Sequence, residues 1–527
     1  MTDKRFYITT SIPYVNGDPH IGFALEAIQC DVLARWHRQH GYDTRYLSGT
    51  DENALTNVQA AEREGIPIRD LIDRNAPRFE ALREPLHLTT DDFIRTSSDP
   101  RHTPGSQKLW EVIAANGDIY SRHYQGLYCI KCERFYKPEE LIDERCPIHG
   151  TEPERVDEEN YFFRLSAYED RLRELITSNE MLVQPEHRRE EMLSFINQGL
   201  EDFSISRQAG RGHGWGVPVP GDPNQVMYVW VDALSNYITA LDYAEDGDLF
   251  ERYWLDNPNR VHVVGKDIIR FHVIYWPAML MAANLPTPSK VNVHEFLTHD
   301  GEKMSKSRGN VVDPIVLVDQ YGSDAVRYWL LRDMPRTSDG DFSYQRLEDR
   351  YNTDLANDLG NLVNRTVGML HRFKGGVVPS AIAAAEADPT LRDVAEAIPA
   401  RIETALGRFD FREALAPLNE LVTVSNRYID DRKPWALNKA AKAGDEEAAE
   451  AVGTVLGNLV EALRLIGVQL RPFIPEGADR IAAQLALESS DAAGDTASTE
   501  WGDSLAGVTL PKGAPVFPRI EREADVA

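Results

Sequence analysis

The stretch FYITTSIPYVNGDPHIGFALEAIQCDVLARW, Phe6 to Trp36, decides the fold. Its first seven residues are β-rich, and Pro13, Asn16, Gly17 and Pro19 then break the strand. Beyond His20 the apolar residues Leu25, Ile28, Val32, Leu33 and Trp36 recur at helical spacing. TRYLSGTDEN, Thr44 to Asn53, reads as a second strand ending in small and acidic residues. Strand, glycine-containing turn, helix and strand make one parallel βαβ unit. Further strands follow much later, VHVVGKD at Val261 to Asp267 and VNVHEFL at Val291 to Leu297, with the helix-like IIRFHVIYWPAMLMAA between them. A long insertion must therefore interrupt the sheet.

The length of 527 residues is too great for one ordinary core. The expected division is a first sheet half at 1–115, an insertion at 116–226, a second sheet half at 227–350 and a helical domain at 351–527. Long helical patterns such as LANDLGNLVNRTVGMLHRF and AVGTVLGNLVEALRLIGVQL support the last of these. No apolar run is expected to reach the ~18 residues that span a bilayer. The N-terminus lacks the continuous apolar core of a signal peptide, so a cytoplasmic location is expected, with no membrane partner. A net charge of −27 argues against nonspecific DNA binding and leaves specific RNA recognition open, since a local basic patch can still hold phosphates.

Three of the four cysteines cluster in YCIKCERFYKPEELIDERCPIHG, Tyr128 to Gly150. Cys129 and Cys132 form one tight pair, and Cys146 and His149 another. Two such turns can close a tetrahedron around one zinc ion, all four positions being filled by protein, so the site is expected to be structural. Cys30, on an apolar helix face, reads as core.

In an open parallel sheet, ligands sit beyond the carboxyl ends of the strands, where helix N-termini point N–H groups at anions. PYVNGDPHIG occupies that place; Gly17 and Gly22 allow close backbone approach, and His20 can donate to a phosphate oxygen. GEKMSKSRGN, Gly301 to Asn310, supplies a second phosphate-handling candidate in Lys303, Lys306 and Arg308. HIG after the first strand and KMSKS after the last resemble the paired nucleotide motifs of class I aminoacyl-tRNA synthetases. With VMYVWVDALSNY, VVGKDIIRFHVIYWPAML, EENYFFRLS, the cysteine knuckle and NRYIDDRKPW, nearly the whole chain resembles the methionyl-tRNA synthetase family in its single-knuckle form.

The resemblance implies an α/β Rossmann-type parallel-sheet catalytic domain with an inserted zinc-knuckle connective domain, followed by an α-helical bundle that binds the anticodon. It implies activation of methionine by ATP to methionyl-adenylate and pyrophosphate, then transfer to tRNA(Met), with Mg2+ accompanying ATP and one structural Zn2+. The attacking carboxylate is already ionised, so catalysis must come from orientation and from cations on the phosphates. Carried over residue by residue, His20, Lys303 and Lys306 are catalytic. Tyr14, Asn16, Gly17, Gly22 and Ser305 join them around ATP. Asp51 pairs with the substrate's amino group; in isolation a helix-capping role would serve it equally. Ile12, Tyr14, Trp230, Ala233, Tyr237, Ile268, Phe271 and His272 form the side-chain pocket, where a thioether favours aromatic contact. Asn361, Arg365 and Trp435 read the anticodon. The chain stops soon after the helical domain, and a monomer is expected.

Two positions depart from the family pattern. Phe23 replaces the second histidine of H-x-G-H, and Asn53-Ala54 stands where DEHG ends in His-Gly. One lost charge-assisted contact costs about 1.5–3 kcal/mol. Asn53 is expected to retain part of that hydrogen bonding, so that the two changes compensate. The alternative they prompt is a paralogue with an altered amino acid or acceptor.

Overall fold

In the computed structural model, residues 4–131, 134–148, 150–304, 309–379, 389–487, 499–502 and 505–521 are described. Six strands build the central sheet: β1 (Arg5–Thr9), β2 (Asp43–Thr50), β3 (Asp92–Arg95), β4 (Leu182–Gln184), β5 (Arg260–Gly265) and β6 (Lys290–His294). Their order is β3-β2-β1-β5-β6-β4, and every pairing is parallel. Phe6 to Thr9 and Val261 to Gly265 are buried without alternation, as expected of strands covered on both faces. The strand order reverses between β1 and β5, so the crevice at their carboxyl ends is the topological switch point. Helix α1 (Ile21–Gln39) follows β1 and carries the first crossover.

Contact density divides the chain into two units. The first takes Met1–Ala34, Tyr42–Glu84 and Leu88–Phe296; the second takes Arg35–Gly41, Pro85–His87 and Leu297–Ala527. By contact density the changeover between the units falls at 296/297. The segment after β6 forms its own small sheet of Leu297–His299, Glu302–Lys303 and Gly340–Phe342, which groups with the helices.

Within the first unit, Ile119–Cys129 and Glu154–Phe163 pair antiparallel over ten residue pairs, flanked by Arg134–Tyr136 and Phe203–Ser204. This sheet fills the first part of the expected insertion. The span 116–226 is not all insertion, however. The helix Glu169–Thr177 leads back to β4, which lies parallel to β6 with Leu182 opposite Lys290. A three-residue strand has too little pattern to stand out in sequence; its pairing partner defines it.

The second unit is mainly helical, with Phe411–Arg432 and Glu446–Leu470 its longest elements. Asp410 and Asp445 cap these two helices, each accepting an N–H of the first turn. Glu446–Leu470 corrects the expectation of no membrane-length apolar run, since its 18-residue window has a mean hydropathy of 1.5. That window is 72% buried in the folded chain, which makes it a core helix. Arg327, fully buried, donates to the carbonyls of Leu86, Pro472 and Phe473 and so ties three chain segments together.

Gly49 marks a close contact between β2 and β3. A Cβ there would stand 2.3 Å from the Ile94 carbonyl oxygen of β3, and backbone cannot yield as a side chain could. Gly49→Ala is expected to destabilise the protein by about 1–3 kcal/mol. Urea unfolding would measure it, and a loss below ~0.5 kcal/mol would show that β2 and β3 adjust freely.

Candidate active site

The turn after β1 is built by the residues that break the strand. Tyr14 bridges Asp51 in parallel fashion, and the Asp51 N–H donates to the Pro13 carbonyl at 2.9 Å. Asn16 donates to the Thr56 hydroxyl at 2.9 Å, and Asp18 pairs with Arg78. The His20 carbonyl accepts from the N–H groups of Phe23 (3.0 Å) and Ala24 (3.2 Å), which starts α1. Its Nδ1 accepts the Gly22 N–H at 3.0 Å, so the neutral ring carries its proton on Nε2. A Cβ at Gly22 would fall 2.8 Å from His20 Cε1, so a larger residue there would push the ring out of this position. An exposed imidazole donor at a helix N-terminus suits an anion.

Phe23 points away from that chemistry. It is buried, its ring edge-on to Phe79 with centroids 5.6 Å apart. Asn53 is committed elsewhere: its amide donates to Asp232 Oδ2 at 2.8 Å. The expected compensation between Phe23 and Asn53 is therefore overturned. One side chain is packed into an aromatic pair and the other is held by a buried carboxylate, so neither can stand in for the other.

Beyond β2, Asp51 is buried, and the Asn53 N–H donates to its Oδ1 at 3.1 Å. Asn57 donates to the Asp51 carbonyl at 3.0 Å. Ala54, the N-cap of the helix Leu55–Glu64, makes no side-chain capping bond, so Asp51 is not that helix's cap.

The aromatic pocket comes from the helix Val229–Thr239 and the turn after β5. Trp230 lies face to face on Phe271, centroids 3.8 Å apart and planes 7° from parallel. His272 meets Trp230 edge-on at 6.2 Å. His272 Nδ1 lies 3.0 Å from the Ile268 carbonyl and donates to it, so Nε2 accepts from the Tyr237 hydroxyl at 2.7 Å. Burial depresses His272 to about 4, so its ring is neutral at ordinary pH. Ala233 and Tyr237 are buried on the same helix, and Ile12 is half-buried. A cleft of about 350 Å³ opens onto Tyr14, Asn16, Trp230, Ile268 and Phe271 together, at the lower end of ordinary ligand sites. Its lining also includes Thr56, Arg63, Asp267, Lys131 and Ile148, which sequence reading missed. Only Asp267 carried a signal, as the residue ending VHVVGKD.

A second buried cluster supports the floor of the crevice. Ser11 donates its N–H (2.6 Å) and hydroxyl (2.7 Å) to Glu26 Oε1, while Glu26 Oε2 accepts from His294 Nε2 at 2.9 Å. His294 Nδ1 lies 3.0 Å from the Glu295 carbonyl, so both ring nitrogens face acceptors and the imidazolium fits best. Burial opposes that charge, but the bond to Glu26 and its field outweigh burial and raise the His294 pKa.

Cys129 and Cys146 are buried at the far end of the insertion sheet, in a small cluster with Tyr136. The Cys146 carbonyl accepts the Gly150 N–H at 2.8 Å, closing a tight turn. Two buried thiols beside little apolar core fit a structural metal. Cys132 and His149 lie outside the described residues, and among the described residues no group of three or more potential ligands forms. Ser305 and Lys306 also lie outside them, as does the Lys303 side chain; Lys303 pairs through its backbone with Thr298. In the second unit, Arg365 donates to Asp430 at 2.7 Å, Asn361 is exposed four residues earlier, and Trp435 is 48% exposed.

A family described as tRNA synthetases class I (M) matches residues 6–140 and 132–367, and one described as the anticodon binding domain of methionyl tRNA ligase matches 378–525. The chain is 44% identical over 537 aligned residues to the methionine--tRNA ligase of Brucella suis biovar 1, covering 100% of this chain and 99% of that one. It is 43% identical to the methionine--tRNA ligase of Caldanaerobacter subterraneus subsp. tengcongensis, covering 99% of this chain and 80% of that one. The solved structure of Mycobacterium tuberculosis methionyl-tRNA synthetase in complex with methionyl-adenylate matches with a TM-score of 0.91 and 40% identity, over 98% of this chain and 100% of that one. The apo form of the same protein matches at 0.86 and 37%, over 99% of both chains.

Because the folded pKa of His294 lies above its ordinary 6.5, the pair with Glu26 contributes fully below pH 6.5 and fades as pH rises through the raised value. The stability gap between wild type and His294→Gln is therefore expected to be widest near pH ~6 and to shrink toward pH ~9. Urea unfolding across that range measures it; a constant or widening gap would contradict the pairing.

Proposed function

The chain belongs to the methionyl-tRNA synthetases of class I, an ATP-dependent methionine--tRNA ligase family, and on that footing we propose how its own residues divide the work. Methionine occupies the cleft with its thioether against Trp230 and Phe271, bounded by Ile12, Tyr14, Ala233, Tyr237, Ile268 and His272. The proposal rests on the cleft itself, whose lining joins the stacked aromatic pair to Tyr14, the bridge partner of Asp51. A polarizable thioether gains from ring contact, and a neutral His272 adds no charge to an apolar pocket. Asp51 pairs with the substrate ammonium.

ATP lies along the turn Tyr14 to Gly22, its phosphates met by the start of α1 and by His20 Nε2–H, with Asn16 and Gly17 at its side. The methionine carboxylate, held by its own ammonium and side chain, attacks the α-phosphorus and pyrophosphate leaves. Lys303 and Lys306, with Ser305 beside them, neutralise charge gathering on the phosphates. Mg2+ with ATP would add to that neutralisation. Phe23 leaves this assignment intact, since its ring serves packing. A hydroxyl of the terminal ribose of tRNA(Met) then takes the methionyl group from the adenylate and AMP leaves; the anticodon of that tRNA is read by Asn361, Arg365 and Trp435 through hydrogen bonds and stacking.

One structural zinc is proposed at Cys129, Cys132, Cys146 and His149, where it would stiffen the tip of the connective insertion. We further propose a cytoplasmic monomer with no DNA or membrane partner.

Methionine-dependent ATP–pyrophosphate exchange is the decisive assay. Wild type is expected to respond to methionine above every other amino acid. Lys306→Ala should lose about 10²–10³-fold in rate, and Trp230→Ala should raise KM for methionine about tenfold. Stronger stimulation by another amino acid would overturn the substrate assignment. Elemental analysis of the purified chain should give one zinc per chain, lost in Cys146→Ser; full metal content in that variant would remove Cys146 from the set.

A further inference from the structure

Asp232 and His102 face no ligand in the proposed mechanism, yet both are almost wholly buried, at 1% and 0% exposure. His102 opens the helix His102–Ala115, and Asp232 lies in the helix Val229–Thr239. His102 Nε2 donates to Asp232 Oδ1 at 2.5 Å, and the Thr239 hydroxyl lies 2.9 Å from His102 Nδ1. The other Asp232 oxygen accepts from the Asn53 amide at 2.8 Å. Each carboxylate oxygen thus has its own donor, and the side chain has one orientation. A buried carboxylate is costly, and two packed helices could be joined by apolar residues alone. Its presence calls for a geometric purpose.

That purpose lies one residue beyond the chain of contacts. Asn53 is fixed through its side chain by Asp232 and through its carbonyl by Arg207 Nη2 at 3.1 Å. The N–H of this fixed residue donates to Asp51 Oδ1 at 3.1 Å. A charge-assisted bond between an ammonium and a carboxylate depends on the carboxylate's orientation. We infer that Asp232, aligned by His102, is a positioning residue that orients Asp51 toward the substrate's amino group through Asn53. The inference rests on the assignment of Asp51 to that amino group. It also gives position 53 a role: the residue there must offer a side-chain N–H to Asp232, which asparagine does.

Two ligands that differ only in the amino group test it: methioninol and 4-(methylthio)butan-1-ol, with inhibition constants measured against methionine on the full chain. Wild type should prefer methioninol. Asn53→Ala should weaken methioninol about tenfold and leave 4-(methylthio)butan-1-ol within about twofold. Asp232→Asn should show the same split. Asn53→His, whose ring N–H can still reach Asp232, should keep the wild-type preference. Thermal melts verify folding; if Asp232→Asn does not fold, the two Asn53 variants carry the comparison. Equal losses for both ligands in Asn53→Ala, or an unchanged preference, would overturn the positioning role. Asp51→Asn separates the two levels. If it keeps the preference for methioninol, the assignment of Asp51 itself fails. If it abolishes the preference while Asn53→Ala and Asp232→Asn retain it, only the relay fails.

Discussion

Glu26 accepts from the backbone and hydroxyl of Ser11 with one oxygen and from His294 with the other. Ser11 follows β1, Glu26 lies in α1 and His294 ends β6, so one buried carboxylate fastens three elements across the end of β5. The fastening sits at the carboxyl ends of the strands, beside the switch point that an open parallel sheet leaves available to ligands. The turn from Ile12 to His20 has both its ends tied by these bonds and by the start of α1. Such a turn can hold an anion without first paying to become ordered.

The chemistry around this anchor is divided by charge. On the aromatic side, Tyr237 and Ile268 hold His272 in one tautomer, and burial keeps it unprotonated. The other side opens to solvent at His20, an exposed side chain at the start of α1. Asp51 stands at the border, tied to Tyr14 on one side and to the Asn53–Asp232–His102 cluster on the other. A loose carboxylate there would accept any cation; a fixed one selects an ammonium at one place.

The two departures from the family pattern illustrate how far residue type alone can mislead. Read in sequence, Phe23 looks like a lost donor and Asn53 like its replacement. In the folded chain Phe23 is half of an aromatic pair with Phe79, and Asn53 answers Asp232, 179 residues away. Both partners were visible as letters, but nothing in local spacing links position 53 to 232. The same holds for β4: Leu182–Gln184 is a strand only because β6 lies beside it. The changeover in packing at 296/297 is likewise a matter of which segments meet, which local periodicity does not encode.

What the sequence determined by itself was local: the strand, turn and helix from Phe6 to Trp36, the later strands of the parallel sheet, the cysteine spacing and the family motifs. Periodicity, breakers and spacing act over a few residues and so are written in the order of the chain. Tertiary structure alone decided which polar groups answer each other: Glu26 with Ser11 and His294, Asp232 with His102 and Asn53, and Trp230 with Phe271. Burial makes each unpaired polar group costly, so distant residues are selected as partners by the fold. That choice depends on which elements meet in space, and no stretch of sequence contains it.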